Sequence, residues 1–168
     1  MKVFHGSTVI VNAPLVGVGR RNLDFGKGFY VTDLKEQAVS WASRPLNADK
    51  PQVLNVYEFD KEGVQKANFQ YKQFMSYDVE WLEFVIASRK GLAVWQGFDV
   101  IEGGIANDRV FNTIELYSQG LIAQDVALQR LQYEQPNNQI CILNQKVVDN
   151  YLHFMESSIV NEEEKKNE

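Results

Sequence analysis

The stretch RRNLDFGKGFYVTD, residues 20–33, places two glycines around a lysine and then runs directly into Phe29, Tyr30 and Val31. Glycine adopts backbone angles that other residues avoid, and it lets another group approach where a β-carbon would stand. The aromatic and β-branched residues that follow favour a strand. The stretch is therefore typical either of a turn that feeds a core strand or of a loop against which a ligand lies.

The spacing of these glycines separates the stretch from the common phosphate-binding loops. Gly26, Lys27 and Gly28 match neither GxxxxGK[ST] nor GxGxxG before a long helix. A classical nucleotide-binding fold is therefore poorly supported. On the glycines alone, a structural turn is the simpler interpretation.

A short strand and an amphipathic helix flank the glycine stretch. β-Branched residues predict a strand at residues 2–5, with His5 at its end. Asp33 and Glu36 have capping-box spacing and predict a helix that begins directly after the strand of Tyr30. The residues that recur on one face of this helix are Leu34, Ala38 and Trp41.

The remaining chain mixes strands and helices without a regular βαβ order or an internal repeat, which predicts the α+β class. Strands are predicted at residues 53–60, 67–74, 98–104 and 138–144. Helices are predicted at residues 78–91, 107–120, 123–132 and 145–158, the last with Val148, Leu152 and Met155 facing the core. Asn107 or Asp108 is expected to cap the second of these helices.

The bulk composition predicts one globular domain. The chain has 168 residues, of which 45% are hydrophobic and 23% charged. We expect a single domain at residues 1–158 and a charged, disordered tail at residues 159–168. A net charge of -5 disfavours general nucleic-acid binding and leaves only a small basic patch of Arg20, Arg21 and Lys27.

The few cysteines and histidines predict a metal-free protein. The chain has one cysteine, Cys141, and two histidines, so it offers neither an internal disulfide nor a cysteine-built zinc site. Cys141 lies in the apolar run ICIL and is expected in the core. We find no signal peptide and no membrane span in the sequence, and we expect a cytoplasmic protein.

Three segments together resemble the ADP-ribosyltransferase superfamily. They are HGS at residues 5–7, FGKGFYVTD at 25–33 and NQICI at 138–142. The resemblance is to the branch with a His, Tyr, Glu triad, which includes diphtheria toxin and the poly-ADP-ribose polymerases. Through LDFGKGFYVT and GGIANDRVFNTIELYSQG, residues 3–155 also resemble an uncharacterised bacterial family assigned to this superfamily.

The resemblance implies a split β-sheet core with peripheral helices, and NAD as the substrate. His5 would bond a ribose hydroxyl of NAD, and the backbone of Gly6 would hold the nicotinamide carboxamide. Tyr30 and Trp41 would supply flat faces around the nicotinamide ring. The other residues expected in NAD binding are Ser7, Arg21, Gly26 and Gly28. Arg20 and Arg21 are candidates for the diphosphate or an anionic target, because a guanidinium matches phosphate through two hydrogen bonds; solvated loop charges are the alternative.

Two positions depart from the polymerase pattern. Gln139 stands where the family has its catalytic glutamate; an amide can accept a hydrogen bond but cannot carry negative charge or take a proton. A general base is then missing unless Glu134 or the acceptor supplies it. Ala38 stands where the polymerases have a serine that helps bind the carboxamide. Chain-building is therefore disfavoured, and transfer of a single ADP-ribose fits better.

The sequence leads to one main hypothesis and two alternatives. The main one is an NAD-dependent mono-ADP-ribosyltransferase whose catalytic residues are His5, Tyr30 and Gln139 and whose acceptor is a protein or a nucleic acid. Small bacterial enzymes that resemble this superfamily often act as toxins, which makes a cognate antitoxin a candidate partner. The alternatives are a catalytically silent module that binds NAD or ADP-ribose, and an NAD glycohydrolase that uses water as the acceptor.

Overall fold

In a computed structural model, which describes residues 1–106, 108–132, 134 and 137–160, the chain forms two β-sheets with helices packed around them. The strands are β1 Lys2–Ser7, β2 Phe29–Val31, β3 Val53–Phe59, β4 Tyr71–Gln73, β5 Val100–Gly104, β6 Asn138–Ile142 and β7 Leu152–Ile159. The helices are α1 Lys35–Ala42, α2 Lys61–Lys66, α3 Val79–Arg89, α4 Asp108–Ser118, α5 Gln124–Leu131 and α6 Gln145–Tyr151. The prediction of intermixed helices and strands is confirmed.

A backbone bridge joins the two sheets. The first has the order β1-β3-β7 and is antiparallel; the second has the order β2-β6-β5-β4, in which β4 and β5 are parallel. An isolated antiparallel bridge joins Phe4 of β1 to Thr32 just after β2, through two backbone hydrogen bonds of 2.7 and 2.9 Å. β1 and β2 are therefore neighbours at this bridge, although they belong to different sheets.

The alternation of side chains along β6 shows how the layers are stacked. Ile140 and Ile142 pack with Tyr57 and Phe59 of β3, in the core between the two sheets. Cys141 points to the other face and packs in the cluster formed with α3, α4 and α5. Because the period of a strand is two, Gln139 lies on the same face as Cys141, on the side of the helical layer.

A glycine lets α1 lie directly on β1. A β-carbon at Gly6 would overlap the carbonyl oxygen of Ala38 and lie 2.8 Å from the amide nitrogen of Ala42. Both alanines are completely buried. This contact of small residues fixes the distance between α1 and the second half of β1, where His5 lies; β1 continues to Ser7, two residues beyond its predicted end.

The two glycines of the quoted stretch serve the fold. A β-carbon at Gly28 would lie 2.5 Å from both Cys141 Sγ and the carbonyl oxygen of Ile142, so β2 can approach β6 only through glycine. Gly26 has a φ of 91°, and a β-carbon there would overlap the ring of Trp95. The stretch therefore forms a closely packed turn that leads into β2.

The predicted capping box of α1 is wrong. α1 begins after Leu34, whose side chain makes no cap hydrogen bond, and Asp33 is exposed. The hydroxyl of Thr32 accepts the Leu34 amide at 3.1 Å and donates to the Asn138 carbonyl at 2.7 Å. The hydroxyl thus satisfies an amide at the start of the helix and also ties that end to β6.

The helix predicted at residues 145–158 is also wrong in its second half. α6 ends at Tyr151, and the chain continues as β7 along the open edge of β3, with a register shift between Val56 and Tyr57. Met155, expected in the core, is 53% exposed. The amide of Val160 donates to the Gln52 carbonyl at 2.9 Å, so ordered chain extends beyond the predicted domain end at residue 158.

Smaller differences concern the ends of elements. The strand predicted at residues 67–74 is limited to β4, and α2 before it was not predicted; its cap is Asp60, which accepts the Gly63 amide at 2.9 Å. The strand predicted at 138–144 ends at Ile142, because Asn144 caps α6 through the Lys146 amide. The cap expected at Asn107 and the tail from residue 161 lie outside the described residues.

The contact of Gly6 with α1 predicts that Gly6→Ala destabilises the protein. The added methyl group has no space unless α1 moves, and overpacking of this kind costs about 1–3 kcal/mol in the free energy of unfolding. Urea denaturation of both proteins measures the difference. Gly19→Ala is the control, because its β-carbon would approach only one atom, at 3.3 Å. A Gly6→Ala variant as stable as the parent would contradict the described packing.

Candidate functional site

A cavity of about 490 Å³ lies where β1 and β2 part. Its lining brings together six residues of the predicted site: His5, Gly6, Gly28, Tyr30, Trp41 and Gln139. Ser7, Arg21 and Gly26 are not among the lining residues, whereas their neighbours Thr8 and Arg20 are. The predicted catalytic residues thus face one cavity, and the predicted loop residues do so only in part.

His5 is held by the backbone of β2. Its Nδ1 lies 2.7 Å from the carbonyl oxygen of Tyr30, and its ring packs against Phe29 with centroids 4.6 Å apart. A carbonyl only accepts, so Nδ1 carries the proton and the neutral ring has its lone pair on Nε2. Burial lowers the pKa of His5 below 6.5, against a smaller opposite effect of the bond to Tyr30. At neutral pH His5 is therefore a hydrogen-bond acceptor at Nε2.

Tyr30 presents a ring rather than a hydroxyl. Its phenolic oxygen donates to the Gly26 carbonyl at 2.8 Å and accepts the Phe25 amide at 3.0 Å. Burial raises the pKa of Tyr30 well above its usual value of 10.0. The hydroxyl stays protonated and occupied by the glycine loop, so the group that a ligand can contact is the rigid aromatic ring.

An ion pair forms part of the cavity wall. Asp24 is only 7% exposed, and its Oδ1 accepts from both Nε and Nη2 of Arg89, each at 2.6 Å. Its Oδ2 accepts from Nε2 of Gln139 at 3.0 Å and from the Ala106 amide at 3.4 Å. Asp24, Arg89 and Gln139 all line the cavity. The carboxylate is thus fully engaged by a cation and by the amide of Gln139.

Sequence reasoning missed Asp24 and Arg89. Asp24 stands inside the quoted glycine stretch, but nothing in the sequence links it to a residue 65 positions later. Arg89 has the ordinary appearance of a basic residue in the last turn of α3. Only the fold brings the two together, so no local signal could have found the pair.

Three other predictions are clarified by the structure. Trp41, half-buried on α1, lines the cavity, whereas Ala38 is completely buried against β1 and is not among the lining residues. Glu134, considered as a substitute base, is not among the lining residues. Its negative charge acts instead on Tyr77, whose pKa is raised first by burial and second by Glu134. Cys141 is buried, and burial raises its pKa to about 12, which confirms it as a core residue.

A second cavity of about 500 Å³ adjoins the first. The two share Leu23, Asp24, Arg44 and Arg89, so the ion pair is a common wall. On this second side the Arg89 guanidinium lies 4.7 Å from the ring centroid of Phe111, which is 41% exposed.

The lowered pKa of His5 predicts a stability that falls on acidification. The unfolded chain takes up a proton near pH 6.5 while folded His5 resists it, so the free energy of unfolding decreases as the pH drops below 6.5 and is unaffected at pH 8. In His5→Gln, whose amide can still donate to the Tyr30 carbonyl, we expect a smaller decrease. Denaturant titrations at pH 8, 6.5 and 5 measure it. His153→Gln, at an exposed histidine, is the control; equal pH dependence in all three proteins would contradict the assignment.

Across the part of the chain that the structure describes, we find no helix with both the length and the apolar character needed to cross a bilayer. Searches of curated proteins and of solved structures each return no match to this chain. A family model described as a protein of unknown function, DUF3990, matches residues 1–154. The chain therefore belongs to the DUF3990 family.

Proposed function

We propose that this protein is an NAD-dependent mono-ADP-ribosyltransferase. The observation that carries the proposal is the common cavity of His5, Tyr30, Trp41 and Gln139, which come from distant parts of the chain. Two sheets that join at a single bridge, with the cavity beside it, also fit the split core of the ADP-ribosyltransferase fold. The membership in DUF3990 assigns no activity, so the proposal rests on the cavity and on the resemblance of its motifs.

The cavity offers a complementary group for each part of nicotinamide riboside. The rings of Tyr30 and Trp41 provide flat apolar faces for the nicotinamide ring. Nε2 of His5 accepts a hydrogen bond from a ribose hydroxyl, because its Nδ1 proton is engaged by Tyr30. The backbone of Gly6 lies on the lining; its missing β-carbon makes room for α1 rather than for a ligand, so the carboxamide would bond this backbone from the cavity side. Binding in this way fixes the sugar relative to the leaving group.

The proposed reaction breaks the bond between C1 of the ribose and the nicotinamide nitrogen. The electron pair of that bond leaves with nicotinamide, and positive charge develops on the ribose ring. The acceptor then forms a bond to C1 and releases its proton to a basic group of its own or to bulk water. The chain's own contribution is to orient the sugar and to exclude water, since Gln139 is an amide that cannot take that proton.

Basic residues at the cavity support an anionic substrate. Arg20, Arg44 and Arg89 line it, and a guanidinium matches phosphate oxygens through two hydrogen bonds. Of the two arginines that the sequence offers for the diphosphate, Arg20 is on the lining and Arg21 is not, so the proposal keeps Arg20.

The acceptor is proposed to be a macromolecule, and a toxin role with a cognate antitoxin follows only from the resemblance. Gln139 specifically favours one alternative, a module that binds NAD without turning it over, because no titratable acid stands at that position. An assay that separates transfer, hydrolysis and binding decides between these functions.

The proposed stacking predicts that Trp41→Ala weakens NAD binding. Loss of one aromatic face should raise the Kd for NAD about tenfold, equivalent to ~1.4 kcal/mol. Isothermal titration calorimetry measures this. Phe69→Ala is the control, because Phe69 is also a half-buried aromatic residue but is not among the lining residues. Equal affinities of the two variants would exclude Trp41 from the nicotinamide site.

When the parent protein is incubated with radiolabelled NAD and a cell lysate, we expect label on a macromolecule. His5→Ala and Tyr30→Ala should lose this label by about 10²-fold or more, because both remove contacts to the reacting half of NAD. His153→Ala should keep it. Free labelled ADP-ribose would instead indicate hydrolysis, and intact NAD a binding module. Full labelling by His5→Ala and Tyr30→Ala would show that the reaction occurs elsewhere.

A further inference from the structure

Gln139 has a defined amide orientation, although its two ends have nearly the same shape. Nε2 lies 3.0 Å from Oδ2 of Asp24 and 3.4 Å from the carbonyl oxygen of Gly104. Both partners can only accept hydrogen bonds, because the Asp24 carboxylate is also bound by Arg89. The reverse orientation would bring Oε1 against two acceptors. The nitrogen therefore faces Asp24, and Oε1 is the end left for a ligand.

The same contacts explain why an amide, and not a carboxylate, stands at this position. Gln139 is 4% exposed and Asp24 is 7% exposed, so water solvates neither side chain well. A carboxylate at position 139 would lie about one hydrogen-bond length from that of Asp24, and two such groups cannot both be ionised there at low cost. Arg89 already bonds Oδ1 of Asp24 through two nitrogens and supplies a single positive charge.

We propose that Asp24 is the positioning residue of the candidate site: it fixes Gln139 with Oε1 toward the cavity, where this oxygen accepts a hydrogen bond from the ribose of NAD. The inference rests on the proposed function for the identity of the ligand. It gives Gln139 a function of its own, because Asp24 requires an amide beside it. In this part of the cavity wall the negative charge is then carried by Asp24, which Arg89 holds in place.

The chain contains a matched network on the opposite face of the same strand. Asn138 donates from Nδ2 to Oε1 of Glu102 at 2.8 Å, and Lys61 pairs with Oε2 of Glu102 at 2.6 Å. Glu102 is 4% exposed, and none of these three residues lines the cavity. A carboxylate introduced at Asn138 therefore repeats the electrostatic change at Gln139 without altering the candidate site.

A double-mutant cycle with Asp24→Asn and Gln139→Glu tests the inference. We expect Gln139→Glu to lower Tm by about 5–10 °C, through a new pair of buried carboxylates, and to raise the Kd for NAD at least tenfold. Asp24→Asn should also raise this Kd, since an amide at position 24 no longer fixes the orientation of Gln139. In the double variant, donor and acceptor are exchanged and the contact is restored, so Tm and Kd should recover most of the loss caused by Gln139→Glu.

Asn138→Asp is the control for this cycle: it should lower Tm similarly and leave the Kd for NAD within about twofold of the parent.

Calorimetry with NAD at 15 °C, together with thermal melts, distinguishes the outcomes. An unchanged or lower Kd in Gln139→Glu would overturn the inference, as would an unchanged Kd in Asp24→Asn or a double variant no better than Gln139→Glu. A parent protein that does not bind NAD would refute the proposed function itself. In that case the ribose-binding part of the inference also fails, while the Tm cycle still decides whether Asp24 and Gln139 are coupled.

Discussion

The meeting of β1 and β2 is the constraint on which the candidate site depends. The two strands belong to different sheets and share the bridge between Phe4 and Thr32, after which they part beside the cavity. The bond from Nδ1 of His5 to the Tyr30 carbonyl spans the strands just beyond the bridge. It fixes the tautomer of one predicted catalytic residue and the backbone of the other. A change in how the sheets meet would therefore move both residues at once.

Close contacts of glycine with backbone hold the walls of this opening. Gly6 lets α1 lie on β1, and Gly28 lets β2 lie on β6, so Trp41 and Gln139 reach the cavity from elements that could not otherwise come so near. The space that each missing β-carbon leaves is filled by the neighbouring element, so these glycines act by bringing elements together. The loop carbonyl of Gly26 has a further use, since it accepts the hydroxyl of Tyr30 and leaves the ring to line the cavity.

Local patterns in the sequence were sufficient for most elements, whereas the candidate residues of the site came from the resemblance to a known superfamily. Sequence neighbours do specify that His5 lies on the first strand, Tyr30 on the strand after the glycines and Trp41 on the following helix, although β1 continues to Ser7 and does not end at His5. What could not be predicted depends on distant partners. β7 forms because β3 has an open edge, although the spacing of Leu152 after α6 also suits a helix. Asp24, Arg89 and Gln139 come from three separate elements and meet only in the folded chain.

The central claim is that NAD binds with its nicotinamide riboside half in the opening between β1 and β2. A crystal structure of the protein with NAD tests it most directly. The account predicts the nicotinamide ring between the side chains of Tyr30 and Trp41, a ribose hydroxyl within hydrogen-bond distance of Nε2 of His5, and Oε1 of Gln139 turned toward the same ribose. Electron density for NAD elsewhere on the protein, or none at saturating NAD, would contradict it.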